Sequence, residues 1–74
     1  MVQLVEKIDK AAESKAKCTL IDKMGRYHKG TITDSWVRLS GGKLRGKVRL
    51  LNEKQNELEI DANDILDLIL QNPS

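Results

Sequence analysis

Residues 36–51 read WVRLSGGKLRGKVRLL, a stretch with five cations and no acid. Arg38, Lys43, Arg45, Lys47 and Arg49 alternate with apolar residues around the dipeptide Gly41-Gly42. Apolar and polar residues alternating with a period of two mark a strand with one buried face. Two glycines between two such runs supply the positive φ angles of a tight hairpin turn. That turn also sets the register: Ser40 pairs with Lys43, Leu39 with Leu44, Arg38 with Arg45, Val37 with Gly46, and Trp36 with Lys47. Strand residues alternate faces, so Val37, Leu39, Leu44, Val48 and Leu50 take the inner face. Trp36, Arg38, Lys43, Arg45, Lys47 and Arg49 take the outer one. The sorting is clean, and it makes this chain mainly β.

Outward from the hairpin, the same period holds for most of the chain. KCTLID (17–22) reads as a strand, DKMGRY supplies a turn with Gly25, and YHKGTIT (27–33) reads as a second strand. Gly30 inside that strand marks a bend or bulge. Asp34-Ser35 is a plausible break before WVRLS. After the hairpin, NEKQN (52–56) is a polar turn of five and ELEI (57–60) a short strand. DANDILDLIL opens with a helical-turn signal; ILDLIL reads as a closing strand, with a short C-terminal helix capped by Asp61 or Asn63 as the competing reading. Only the first segment has helical periodicity. In residues 2–15, Leu4, Val5, Ile8, Ala11 and Ala12 follow the i, i+3, i+4, i+7 spacing of one face.

The expected architecture is one domain over residues 1–74. An amphipathic helix spans 2–15, a small, strongly bent β-barrel of about five strands spans 17–70, and a terminus frays at 71–74. Closure into a barrel would remove the sheet edges that such short strands otherwise expose. Phe is absent and the only aromatics are Tyr27 and Trp36, so the core has to be aliphatic. At 74 residues that core is thin, and small domains of this kind gain from oligomerisation.

Charge is strongly segregated. Residues 15–49 carry ten Lys or Arg against Asp22 and Asp34, whereas residues 50–74 carry Lys54 against six acids. A basic middle and an acidic tail point to an anionic partner for the former. Arg38 opposite Arg45 adds weight, because like charges across a strand pair cost about 0.2–1 kcal/mol. Structure alone would favour Thr or Glu there. Successive cations on a strand lie roughly 6.6–6.8 Å apart, which suits a phosphate backbone. Trp36 can stack on a base or receive Lys47 on its ring face. Arg26, Tyr27 and Lys29 could extend the patch.

Enzyme signatures are missing. His28 is the lone histidine and Cys18 the lone cysteine, so no intrachain disulfide, Cys–His pairing or cysteine metal cluster is expected, and Cys18 reads as a small core residue. GGKLRG lacks the spacing of a phosphate-binding loop. Asp61, Asp64 and Asp67 read as solvated charges around a turn. No cofactor and no metal are expected. Without a signal-like opening or an apolar run near ~18 residues, the chain is expected to be soluble and cytoplasmic, with no membrane contact.

CTLIDKMGRYHKGTITD, a strand, a glycine turn and a strand carrying Gly-Thr-Ile, resembles the first motif of Sm-like proteins, the small β-barrels of the Hfq and RimP C-terminal type. The preceding helix and ELEIDANDILDLIL, two strands joined by one turn, are similar too. The resemblance implies a fold, the Sm-like barrel. It does not extend to the family's uridine site: no Asn follows Asp34 closely, and Arg45-Gly46 comes earlier than the family's Arg-Gly. The resemblance also implies rings closed by last-strand pairing, and so a homo-oligomer. Ile65, Leu66, Leu68, Ile69 and Leu70 are its candidate interface, with Ile65, Asp67 and Ile69 on one face of the strand and Leu66, Leu68 and Leu70 on the other.

The sequence therefore reads as a non-enzymatic module that grips RNA or DNA through backbone phosphates with a basic hairpin and weak sequence preference. The alternative is a protein-interaction adaptor or inhibitor that sets the same hairpin against an acidic protein surface.

Overall fold

In a computed structural model, which describes residues 2–71, the two-glycine turn forms as expected. Gly41 and Gly42 have φ values of 61° and 75°, the left-handed conformation that a type I′ hairpin needs at both central positions. The cross-strand partners from Trp36–Lys47 to Ser40–Lys43 match the register read from the sequence. The hairpin joins β2 (Tyr27–Ser40) to β3 (Lys43–Asn52). A helix, α1 (Val2–Ser14), precedes β1 (Lys17–Asp22), and β4 (Glu57–Asp61) is linked to β5 (Ile65–Leu70) by a 3₁₀ turn at Ala62–Asp64. The five strands form one antiparallel sheet in the order β4-β3-β2-β1-β5, so β4 and β5 are its two edges. No helix among the described residues is long and apolar enough to cross a membrane. Apart from Gln71, the fraying expected at 71–74 lies outside those residues.

The break expected at Asp34-Ser35 does not occur. β2 runs through it, and the ladder shifts between Ile32↔Leu50 and Asp34↔Arg49, leaving Thr33 as the extra residue of a bulge. A bulge absorbs one residue and bends the strand without ending it. Thr33 Oγ1 donates to the Arg49 carbonyl (3.4 Å), and the Ser35 N–H donates to Asp34 Oδ1 (3.0 Å). Two glycines let the backbones close in around this bend. A Cβ on Gly30 would run into the Leu51 carbonyl oxygen, and one on Gly46 would run into that of Trp36. Gly46 also has φ of 114°.

The turns before β2 and β4 share one design. Asp22 Oδ1 accepts from the N–H groups of Met24 and Arg26, and Asn52 Oδ1 accepts from those of Lys54 and Asn56. In each turn the residue three places on, Gly25 or Gln55, donates its N–H to the Asx carbonyl and has positive φ, 83° and 66°. Glycine is at home there; glutamine is strained.

The core is aliphatic, with Leu20, Ile32, Val48, Leu50 and Leu68 beneath Ile8 and Ala11 of α1. Of the inner hairpin face, Leu44, Val48 and Leu50 are buried and Val37 half-buried, but Leu39 is 37% exposed because the tip outruns the core. Asp61 caps the 3₁₀ turn by accepting from the Asn63 N–H at 2.9 Å. The capping signal in DAND was real, but it served one turn and not a helix, and ILDLIL is a strand.

β5 does not sort as simple alternation requires. Its ladder with β1 shifts between Asp67↔Ile21 and Ile65↔Asp22, so Leu66 is the extra residue and the faces reset. Ile65 and Leu68 lie in the chain's own core and Leu70 packs against it, while Leu66 (59%) and Ile69 (52%) are exposed. Burial withdraws Ile65 and Leu68 from any interface; Leu68→Asp would put a charge into the core and unfold the chain.

Replacing Gln55 by Gly relieves the left-handed strain and raises stability by about 0.5–1 kcal/mol, whereas Gly25→Ala lowers it by about 1 kcal/mol. Gly46→Ala, which meets a backbone carbonyl, costs more than either. Urea unfolding midpoints of the three variants check this ranking.

Candidate nucleic-acid interface

Four cross-strand rows of the outer face carry the candidate cations. The innermost aligns Asp34, Arg49 and Glu59 across β2, β3 and β4, and the next aligns Trp36, Lys47 and Asp61. Beyond them β4 ends. The last two rows hold only Arg38 with Arg45, and Ser40 with Lys43. The basic row therefore runs from a neutralised end to a bare one.

At the inner end, Lys47 Nζ lies 3.1 Å from Glu59 Oε1, and Arg49 reaches Glu57 at 3.1 Å and Glu59 at 3.5 Å. Lys47 first, then Arg49, holds the Glu59 carboxyl below the usual glutamate range. These pairs are half-exposed, so water screens them and they add little to stability. The Arg49 guanidinium also lies over the Trp36 ring, 5.3 Å from its centroid. Arg49, not the expected Lys47, takes that place. Trp36 nonetheless remains 51% exposed. At the tip, no carboxylate among the described residues lies within ion-pair distance of Arg38, Lys43 or Arg45.

No protein family, curated protein sequence or solved structure matches the chain.

Trp36, Arg38, Lys43, Arg45, Lys47 and Arg49 thus share one face of one hairpin, whereas the other three candidates stand apart. Tyr27 and Lys29 are paired with Ile21 and Thr19 on β1, and Lys29 is about 30 Å of strand from Arg38 at 3.3 Å per residue. Arg26 is held by Asp22, Nε to Oδ2 at 3.0 Å.

Asp22 is the residue that sequence reasoning missed. It is buried at 4% exposure and accepts four hydrogen bonds, from the Met24 and Arg26 N–H groups, Arg26 Nε and His28 Nε2 (3.0 Å). The His28 bond, then the Arg26 backbone bond, holds its carboxyl far below the usual aspartate range. The signal was present in DKMGR, whose Asx-to-glycine spacing is that of the turn described above. Two further acids are structural too: Asp67 pairs with Lys7 at 3.2 Å and accepts from the Leu68 N–H, and Asp61 caps. Among the described residues no three His, Cys, Asp or Glu converge on a metal position. Cys18 is buried, and burial pushes its thiol pKa up, away from nucleophile chemistry.

Arg38→Thr and Arg45→Thr each remove a like-charge opposition and leave the fold as stable as before or more stable by about 0.2–1 kcal/mol. A clearly lowered unfolding midpoint for either variant would mean that the arginine is structurally paired.

Asp22 sets an acid limit on stability. Its folded pKa is depressed, so its contribution is complete above the unfolded value of about 3.9 and drains away as pH falls towards the folded one. Urea unfolding followed from pH 6 to pH 2 falls below about pH 4 in the wild type. Asp22→Asn starts lower at pH 6 and falls less.

Proposed function

We propose that this chain is a non-enzymatic nucleic-acid-binding module that grips the backbone phosphates of RNA or DNA with the tip of its β2–β3 hairpin. The observation that carries the reading is the Arg38–Arg45 opposition with Lys43 beside it. Three cations stand there with no carboxylate of the described residues in ion-pair distance, at a cost in stability that the fold has no need to bear. Arginine and lysine so placed neutralise phosphates without reading base edges, so sequence preference is weak.

The reading takes the bent sheet as a small Sm-like barrel that lacks only its β4–β5 seam. Support comes from the cleft where Asp22, Lys23 and Arg26 of the β1–β2 turn line one side and Leu58 to Asp61 of β4 the other. It also takes the chain as a homo-oligomer. Leu66 and Ile69 lie exposed on β5, an unpaired edge strand of the kind that recruits a second chain. Assembly would multiply the hairpins and raise avidity for a long strand without new contacts. Sedimentation at micromolar concentration then gives more than one chain per particle, and Leu66→Glu with Ile69→Glu returns it to one; a concentration-independent monomer would remove this part of the reading.

A salt-series titration tests the binding itself, with single-stranded RNA, single-stranded DNA and duplex DNA as probes. Three phosphate contacts give a slope of log K against log salt of about −2 on single strands and about −2.7 on duplex. Arg38→Gln with Arg45→Gln removes most of the affinity. Absence of binding to all three probes at low salt refutes the nucleic-acid reading. A discrete acidic protein that binds the wild-type chain and loses the arginine variant would put the adaptor in its place.

A further inference from the structure

The five cations of the hairpin differ in what already occupies them. Glu57 and Glu59 stand on a strand beside β3, so they present two carboxylates at the same two-residue spacing as the cations they meet. Lys47 and Arg49 hold them at 3.1–3.5 Å. A carboxylate fixed on a neighbouring strand acts at an effective concentration far above that of a micromolar ligand. Arg49, so held, also covers one face of Trp36.

We propose that β4 is a built-in competitor for the nucleic acid: Glu57 and Glu59 stand in for the phosphates that Lys47 and Arg49 would otherwise bind. The inference rests on the nucleic-acid reading above and deepens it. The footprint of the wild-type chain is confined to Arg38, Lys43 and Arg45, and the inner cations stay closed to phosphate. Arg49, while held over Trp36, closes that face of the ring to a base. Affinity is thereby capped by the fold, and any partner or modification that draws Glu57 and Glu59 away would lengthen the footprint from three cations to five.

The test compares the wild-type chain with Glu57→Gln/Glu59→Gln, using a fluorescein-labelled 20-nucleotide single-stranded RNA from 50 to 300 mM salt. Both changes preserve side-chain size at exposed positions, and matching circular dichroism spectra and cooperative thermal unfolding confirm the fold. Three contacts give the wild type a slope of about −2, and five give the variant about −3.5, at about −0.7 per contact. Adding Lys47→Gln to the variant returns about 0.7 of that slope. Trp36, the only tryptophan, reports independently: its emission changes on RNA binding in the double variant and much less in the wild type. Equal slopes in two binding proteins, at either value, overturn the competitor while leaving the nucleic-acid reading intact. Binding by neither protein overturns both.

Discussion

The register of the β2–β3 hairpin governs the molecule, and the Gly41-Gly42 turn fixes that register. Because strand side chains alternate with a period of two, a slip of one residue would exchange the faces. Val48 and Leu50, now fully buried, would face water, and Lys47 and Arg49 would enter an aliphatic core with no polar partner. The same register places Gly46 opposite Val37, where only a missing side chain lets the Trp36 carbonyl approach. It also places Ile32 opposite Leu50, so that the bulge at Thr33 falls at the bend of the sheet. Core and charge pattern are two faces of one pairing.

That pairing explains how a chain with nearly balanced charge carries a bare basic tip. β4 is five residues long and ends opposite Lys47. Its acids make their ion pairs with the inner cations Lys47 and Arg49. The hairpin continues past it, past β1 and past the main core, as the exposure of Leu39 records. A fold under no demand beyond stability would shorten the hairpin or place Thr and Glu at its outer positions. This one keeps two arginines face to face where water screens part of their repulsion.

The hairpin was legible in the sequence because every rule it obeys is local: two glycines, an alternating pattern and a two-residue turn. Strand identity and order of appearance followed for the same reason. The departures have a common cause. The bulges at Thr33 and Leu66 each insert one residue into a ladder, and no pattern in TITDSW or DILDLI marks where the extra residue goes. Thr33 turned an expected break into a continuous strand, and Leu66 moved Ile65 and Leu68 into one core layer. Asp22 differs: DKMGR marks its turn locally, but its bond to His28 depends on the pairing of β1 with β2. The candidate site divided likewise. Which cations Glu57 and Glu59 take depends on where β4 stops, and no local pattern marks that point.

On the proposed function, the bare end of the hairpin, not the neutralised end or the β5 edge, meets the polyanion. Amide chemical-shift mapping of the full chain titrated with a short single-stranded RNA addresses it most directly. The account predicts the largest shifts over residues 37–46, centred on Arg38, Lys43 and Arg45, with small ones at Tyr27–Thr31 and Ile65–Leu70. Largest shifts on β5 or around Tyr27 and Lys29, with a silent hairpin tip, would contradict it.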